Sequence, residues 1–190
     1  MGQGLIAMVA ARLAKAGENL QRIVEEVRRI IPQMQVFILL DTLKYLHKGG
    51  RIGKAKALLG ALLNVKPLLI MRDGELVPAG LARTRAKGVE RLFSAVGNTS
   101  DIEEVAIVHS TTPDEANSLK ERIASIFDRT RIYLARVGPA LGVHSGPGAL
   151  GLLLRKKISS IGQAVSEGKQ AGKRFSLPSL HLPKLGSSHH

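Results

Sequence analysis

Two short segments hold the residue types best suited to bind a ligand, and the first is rich in glycine. It runs from Val137 to Gly151 and contains five glycines and two prolines, with His144 and Ser145 near its centre. Glycine lets the backbone approach a ligand closely, and proline fixes the path of the chain. We therefore predict a binding site around His144, with a purely structural role for this histidine as the alternative.

The second segment places two arginines, Arg83 and Arg85, at the start of a predicted helix. The planar guanidinium group matches the geometry of a carboxylate and suits an anion site. If the segment is extended, the two side chains share a face, and if it is helical, they diverge. The spacing leaves open which arginine binds the anion, and a solvated helix start is the alternative.

Patterns typical of catalysis or metal binding are missing from the sequence. The chain has no cysteine, and its six histidines show no metal-ligand spacing. The basic segment Gly49–Lys54 differs from a phosphate-binding loop, because Ala55 follows Lys54 where serine or threonine is required. We expect no catalytic residue, no metal site and no cofactor.

The charge of +13 raises the question of a nucleic-acid partner. Aromatic residues make up only 3% of the chain and tryptophan is absent, so the stacking platforms of single-strand binders are lacking. We predict no specific nucleic-acid partner. The alternative is a basic module that binds nucleic acid or an anionic membrane through residues 155–185, which carry seven Lys or Arg residues and one Glu. The absence of cysteine and of a basic secretory leader favours the cytoplasm.

Helical spacing of apolar residues and short apolar runs together predict alternating helices and strands. The predicted strands are 36–40, 66–71, 75–78, 105–108, 131–135 and 150–154. The predicted helices are 5–15, 20–31, 42–48, 54–63, 84–96 and about 112–127, the last with a capping box formed by Thr112 and Glu115. This order predicts an α/β (α+β) fold, with a mixed sheet packed by helices.

Several segments, in this order, resemble the motifs of the DegV family. They are Leu40–Gly53, Ala57–Leu68, Asp73–Pro78, Arg83–Arg85 and Gly138–Gly148. The last is similar to the family's Gly-Thr-His-Thr-Gly-Pro-Gly motif, with Val143 and Ser145 in place of the two threonines. The resemblance covers about residues 1–154.

The resemblance implies a lipid carrier without catalytic activity. Proteins of this family bind a long-chain fatty acid between two α/β domains, and some present its carboxylate to the catalytic subunit of a bacterial fatty acid kinase. By analogy, Arg83 and His144 would bind the carboxylate, with Arg85, Ser145 and Gly2 as further candidates. Leu59, Leu62 and Leu63 would line the acyl slot. A fatty acid and the kinase subunit are therefore the expected partners, with transient contact at a membrane surface.

The resemblance also implies a division of the chain. Residues 1–33 would be helices of a truncated N-terminal domain, and residues 34–154 a DegV-like C-terminal domain. Residues 155–185 would form a flexible basic tail, and residues 186–190 resemble the remnant of an expression tag. Because DegV proteins are longer, we expect a fragment whose first two helices lack packing partners.

Overall fold

A six-stranded mixed sheet organises the chain, in a computed structural model that describes residues 1–58 and 65–157. Its strand order is β3-β2-β1-β6-β4-β5. The β4 and β5 strands pair in parallel, and every other neighbouring pair is antiparallel. The strands are β1 (Met34–Leu39), β2 (Lys66–Arg72), β3 (Glu75–Ala82), β4 (Ile102–His109), β5 (Ile132–Arg136) and β6 (Leu150–Lys156). The predicted mixed sheet is confirmed.

Six α-helices connect and cover the strands in the described part of the chain. They are α1 (Gly2–Lys15), α2 (Leu20–Ile30), α3 (Lys44–Lys48), α4 (Arg85–Gly97), α5 (Pro113–Ala124) and α6 (Pro139–Ser145). Short 3₁₀ helices span Ile31–Gln33, Gly53–Leu58 and Arg129–Arg131. Only the first part of the predicted helix 54–63 is described, and it is a 3₁₀ turn rather than an α-helix.

Side-chain caps explain where two of the helices begin. Asn19 accepts a hydrogen bond from the backbone N–H of Arg22 (2.9 Å), and Thr84 accepts one from Lys87 (3.2 Å). The capping box predicted at Thr112 is wrong, because Thr112 makes no side-chain cap bond. Glu115 pairs with Arg85 instead, so a tertiary ion pair replaces the local bond.

Helices lie on both faces of the sheet. On one face α4 and α5 pack over the main core, which includes Leu39, Leu92, Ile107, Leu119, Ile123, Leu150, Leu152 and Leu154. On the other face α1 packs through Leu5, while α3 and the 3₁₀ turn after it pack over β1 and β2. Alternation of residues along each strand supplies both faces with apolar side chains.

The N-terminal helices differ in how much apolar surface they bury. Leu5 of α1 is fully buried against Ala106 and Leu153 of the sheet. This helix therefore has the packing partner that we did not expect. On α2, Ile30 is also fully buried, but Leu20 remains 76% exposed.

The last strand is longer than predicted. β6 runs to Lys156, so Arg155 and Lys156 belong to the sheet rather than to the predicted basic tail. Arg155 is buried because Glu103 and Glu104 of the neighbouring strand neutralise it. The rest of the predicted tail, residues 158–185, and the tag-like residues 186–190 lie outside the described residues.

A buried polar network joins α1 to the sheet. Glu104 accepts hydrogen bonds from Arg155 (2.7 Å) and from the Tyr133 hydroxyl (3.1 Å) and forms an ion pair with Arg12 of α1 (2.6 Å). Arg155 also binds Glu103 (2.7 Å). Burial acts to raise the pKa of Glu104, but the hydrogen bonds from Arg155 and Arg12 outweigh it and lower the pKa below its usual value.

One edge of the sheet collects the segments that carry the predicted site. The observed pairings make β1, β3, β4 and β5 run in the same direction. Their carboxyl ends therefore lie along one edge, as does the start of the oppositely directed β6. Ligands of open α/β sheets commonly bind at this end of the strands.

Candidate ligand-binding site

The glycine-rich segment leaves the sheet after β5, forms α6, and returns to it as β6. Helix α6 begins at Pro139, whose fixed φ suits the first helical position. It ends at Gly146, which has a positive φ of 72° that a residue with a side chain rarely adopts. His144 and Ser145 therefore form the last turn of a short helix at the sheet edge.

Two hydroxyl groups from the end of β4 fix the return of this segment. Thr111 accepts a hydrogen bond from the backbone N–H of Gly148 (2.9 Å), and Ser110 accepts one from Ala149 (3.0 Å). Sequence reasoning missed both residues. A run of Ser and Thr directly after a buried strand was the available signal, because such residues bond to neighbouring backbone.

Helix α3 packs directly against the glycine-rich segment. The His144 ring lies so close to Gly49 that a Cβ there would overlap Nδ1 and stand 2.8 Å from Cε1. A Cβ at Gly146 would stand 2.7 Å from two ring carbons of Tyr45. The glycines of both segments thus make room for side chains of the other.

Four buried polar side-chain atoms at this edge have no hydrogen-bond partner among the residues that the structure describes. They are Nδ1 of His144, Oγ of Ser145, Nδ1 of His109 and Oγ1 of Thr112. Nearly all buried polar atoms of folded proteins are paired, because an unpaired one costs about 1–3 kcal/mol. Their concentration beside α6 is the strongest structural indication of a ligand site.

The structure distinguishes the two candidate arginines. Arg85 donates from Nε to Glu115 (2.9 and 3.1 Å) and from Nη1 to Asp41 (3.4 Å), and Asp41 also pairs with Lys66 (2.9 Å). The charge of Arg85 is therefore already balanced by two carboxylates. Arg83 is exposed and forms no ion pair with any residue in 1–58 or 65–157. Of the two, Arg83 retains the capacity to bind an anion.

A groove of about 820 Å³ opens to solvent beside α6. Its lining is mainly glycine, proline and valine, with Tyr45 on one side and Arg136 on another. Arg136 donates to the carbonyl of Ser110 (3.3 Å) and has no ion-pair partner in the described part of the chain. Sequence reasoning missed this cation, which ends β5.

The remaining predicted site residues lie elsewhere. Gly2 begins α1, and a Cβ there would be 3.5 Å from Leu153, which is three residues, or roughly 10 Å, along β6 from the sheet edge. The role of Gly2 in binding stays a prediction. Leu59, Leu62 and Leu63 lie outside the described residues.

The described residues contain neither a metal-binding cluster nor a helix that could cross a membrane. Within 1–58 and 65–157, no group of His, Cys, Asp or Glu side chains has the arrangement to hold a metal ion. No helix in these ranges combines the length and hydrophobicity that a membrane crossing requires.

The sheet, its helices and the polar cluster at its edge define a mixed α/β domain with a candidate ligand site. A family model described as an uncharacterised protein of the DegV family matches residues 1–157. The chain belongs to the DegV family.

Curated relatives and solved structures agree with this assignment. A DegV domain-containing protein of Listeria innocua is 33% identical over 155 residues, covering 80% of this chain and 55% of the relative. One from Caldanaerobacter subterraneus is 31% identical and covers 83% and 57%. The chain therefore spans little more than half the length of these relatives.

The structural neighbours share the fold. A fatty acid binding DegV family protein of Streptococcus agalactiae matches with a TM-score of 0.74 and 30% identity, covering 82% of this chain and 56% of its own. DegV of Bacillus subtilis, described as a fatty acid binding protein, matches with a TM-score of 0.71 and 29% identity, covering 82% and 57%.

Proposed function

We propose that this chain binds a long-chain fatty acid in an apolar slot and holds its carboxylate between Arg83 and His144. The observation that carries the proposal is the set of unpartnered polar atoms around His144 and Ser145. Arg83 follows β3 at the same sheet edge. The structural neighbours of similar fold that are described as fatty acid binding support the choice of ligand.

The energetics of such a ligand separate the roles of tail and head group. Each buried CH₂ of the acyl chain contributes about 0.8 kcal/mol, so the tail supplies most of the affinity. The carboxylate must be neutralised, because an unpaired charge in an apolar site is costly. A guanidinium from Arg83 and an imidazole donor from His144 meet this need, whereas Arg85 is already engaged by two carboxylates.

We propose further that the chain is a non-catalytic carrier that presents the carboxylate to a separate fatty acid kinase subunit in the cytoplasm. The open groove beside α6 supports this, because a second protein could approach the head group there. Arg136, at the wall of this groove, would stabilise negative charge that develops on phosphorylation.

Exposed cations in and after α3, the helix whose Tyr45 lines the groove, favour an anionic partner surface. Residues 42–58 include no Asp or Glu, and Lys44, Lys48 and Arg51 are exposed. Such a patch attracts acidic protein surfaces and anionic lipid head groups alike. It supports contact with the kinase subunit and transient contact with a membrane surface.

Native mass spectrometry tests the proposed ligand directly. The 190-residue chain, purified from a bacterial host, should carry a co-purified mass in the fatty-acid range. After delipidation, added oleic acid should restore one bound equivalent. A chain that stays ligand-free in both states, while circular dichroism shows it folded, would contradict the proposal.

A further inference from the structure

The contacts between residues 41–49, which include α3, and the glycine-rich segment follow a regular order. Asp41 lies against Gly148, Tyr45 against Gly146, and Gly49 against His144. One series ascends the chain while the other descends, so the two segments run antiparallel and interlock. Residues 41–49 contribute the side chains of Asp41 and Tyr45, and the glycine-rich segment contributes the His144 ring.

The backbone does not require glycine at position 49. Gly49 caps the C-terminus of α3 with φ −81° and ψ 0°, a conformation open to any residue. The closest obstacle to a Cβ is the His144 ring. The lack of a side chain at Gly49 lets the imidazole pack against the end of α3 with Nδ1 toward Gly49, so a ligand carboxylate would be bound through Nε2.

Tyr45 restricts the His144 imidazole indirectly, by packing against Gly146 in the turn that follows His144. Its aromatic carbons cover Gly146, the residue that ends α6 one position beyond Ser145. The Tyr45 ring therefore limits the movement of the last turn of α6, which carries His144. Asp41 is held in turn by Arg85 and Lys66, which anchors the far end of the interlock.

We propose that Tyr45 and Gly49 are positioning residues that hold the His144 imidazole in the orientation that a ligand carboxylate requires. This inference rests on the proposed fatty-acid function for its consequence in binding. The placement of the ring is a separate claim that can be measured without lipid. A side chain fixed by packing before binding loses less entropy when the ligand arrives.

A single methyl group provides the test. Gly49→Ala is expected to displace the His144 ring and to weaken oleic acid binding by about tenfold or more, the scale of one hydrogen bond to a charged group. Gly97→Ala is the matched control, because Gly97 also lies at a helix end and has open space around its Cβ position. The control should bind like the wild type.

Imidazole nitrogen NMR of the 190-residue chain supplies a second readout that stability alone would not move. In Gly49→Ala the His144 signals should shift, while those of His109 stay in place as a marker of intact folding. Tyr45→Ala should broaden or shift the same signals, and Tyr45→Phe, which keeps the ring over Gly146, should restore them.

The outcomes separate the two claims. Shifted His144 signals in a protein whose wild type binds no oleic acid would refute the proposed function and retain the positioning role. Wild-type binding that Gly49→Ala and Tyr45→Ala leave unchanged, with unshifted His144 signals, would refute the positioning role alone. If Gly49→Ala fails to fold, Tyr45→Ala and Tyr45→Phe decide the question. Identical His144 signals in these two variants and the wild type would refute the positioning role.

Discussion

Two polar clusters of this domain differ in how completely their groups are paired. Beneath α1, Glu104 accepts from Arg12, Tyr133 and Arg155, and Arg155 also binds Glu103. At the carboxyl edge of the sheet, buried atoms of His144, Ser145, His109 and Thr112 have no partner in the described residues.

The difference separates a structural network from the candidate binding site. A closed network stabilises the arrangement of α1 on the sheet, because its buried charges already have partners within the chain. An open one retains unsatisfied donors and acceptors that a ligand can engage. Substitution should therefore affect stability in the first cluster and affinity in the second, and four predictions test this division.

The largest expected effect is that of Glu104→Gln on stability. Removing this carboxylate leaves Arg155 buried with only Glu103 as a charged partner, and breaking a buried pair costs about 3 kcal/mol. Urea unfolding should show a loss of that size. Oleic acid affinity should change little, because the network is remote from the sheet edge.

Glu121→Gln is the control for this change. Glu121 pairs with Arg129 on the surface, where both side chains are more than half exposed, so a loss below about 0.5 kcal/mol is expected. Equal effects of the two substitutions would show that the buried network has no special structural role.

The second prediction concerns His144→Ala. The change should weaken oleic acid binding by about tenfold to a hundredfold, because it removes a hydrogen bond to a charged group. The loss of stability should be smaller than in Glu104→Gln, since only the packing of the ring on Gly49 is removed and Nδ1 has no partner in the described chain. Calorimetric titration and urea unfolding of the same sample measure both. A loss of stability with unchanged oleic acid affinity would show that His144 has a structural role and does not bind the ligand.

The two arginines of the predicted pair sharpen the comparison further. Arg85→Ala should cost about 1 kcal/mol of stability, because it leaves Glu115 and Asp41 without this shared cation. Arg83→Ala should leave stability unchanged and reduce oleic acid affinity. Urea unfolding and calorimetric titration of both variants measure stability and affinity. A loss of stability in Arg83→Ala together with a loss of affinity in Arg85→Ala would contradict the assignment of Arg83 to the ligand.

The smallest effect is the contribution of Glu104 to acid sensitivity. Its pKa is lower in the folded chain than the usual value of about 4.3 in the unfolded chain. The unfolded state therefore binds more protons in this range, so the stabilisation is complete above about pH 4.3 and is lost as the pH falls through the folded pKa. Unfolding free energies measured against pH should fall less steeply in Glu104→Gln than in the wild type. Parallel curves would contradict the lowered pKa.

Much of the fold follows from local patterns in the sequence. Short apolar runs predict all six strands, and Asp73-Gly74 between two of these runs is typical of the hairpin that joins β2 and β3. The strand order does not follow, because β1 and β6 pair across more than a hundred residues. Helix α6 was missed since its glycines and Pro139 indicate a loop more strongly than a helix.

The sequence points to the residue types of the candidate site but not to their partners. Glycine density around His144 singles out the segment in which two of the unpartnered buried polar atoms lie. The choice between Arg83 and Arg85 depends on Asp41 and Glu115, which are distant in sequence and reach Arg85 only in the folded chain. Tertiary ion pairs of this kind leave no local pattern to detect.

The central claim is that a fatty-acid carboxylate lies between Arg83 and His144, and carboxyl-labelled oleic acid tests it most directly. A titration followed by carbon-13 NMR should give a bound carboxyl resonance, distinct from the free one, that shifts in both Arg83→Ala and His144→Ala. A bound resonance that neither substitution moves would contradict the account.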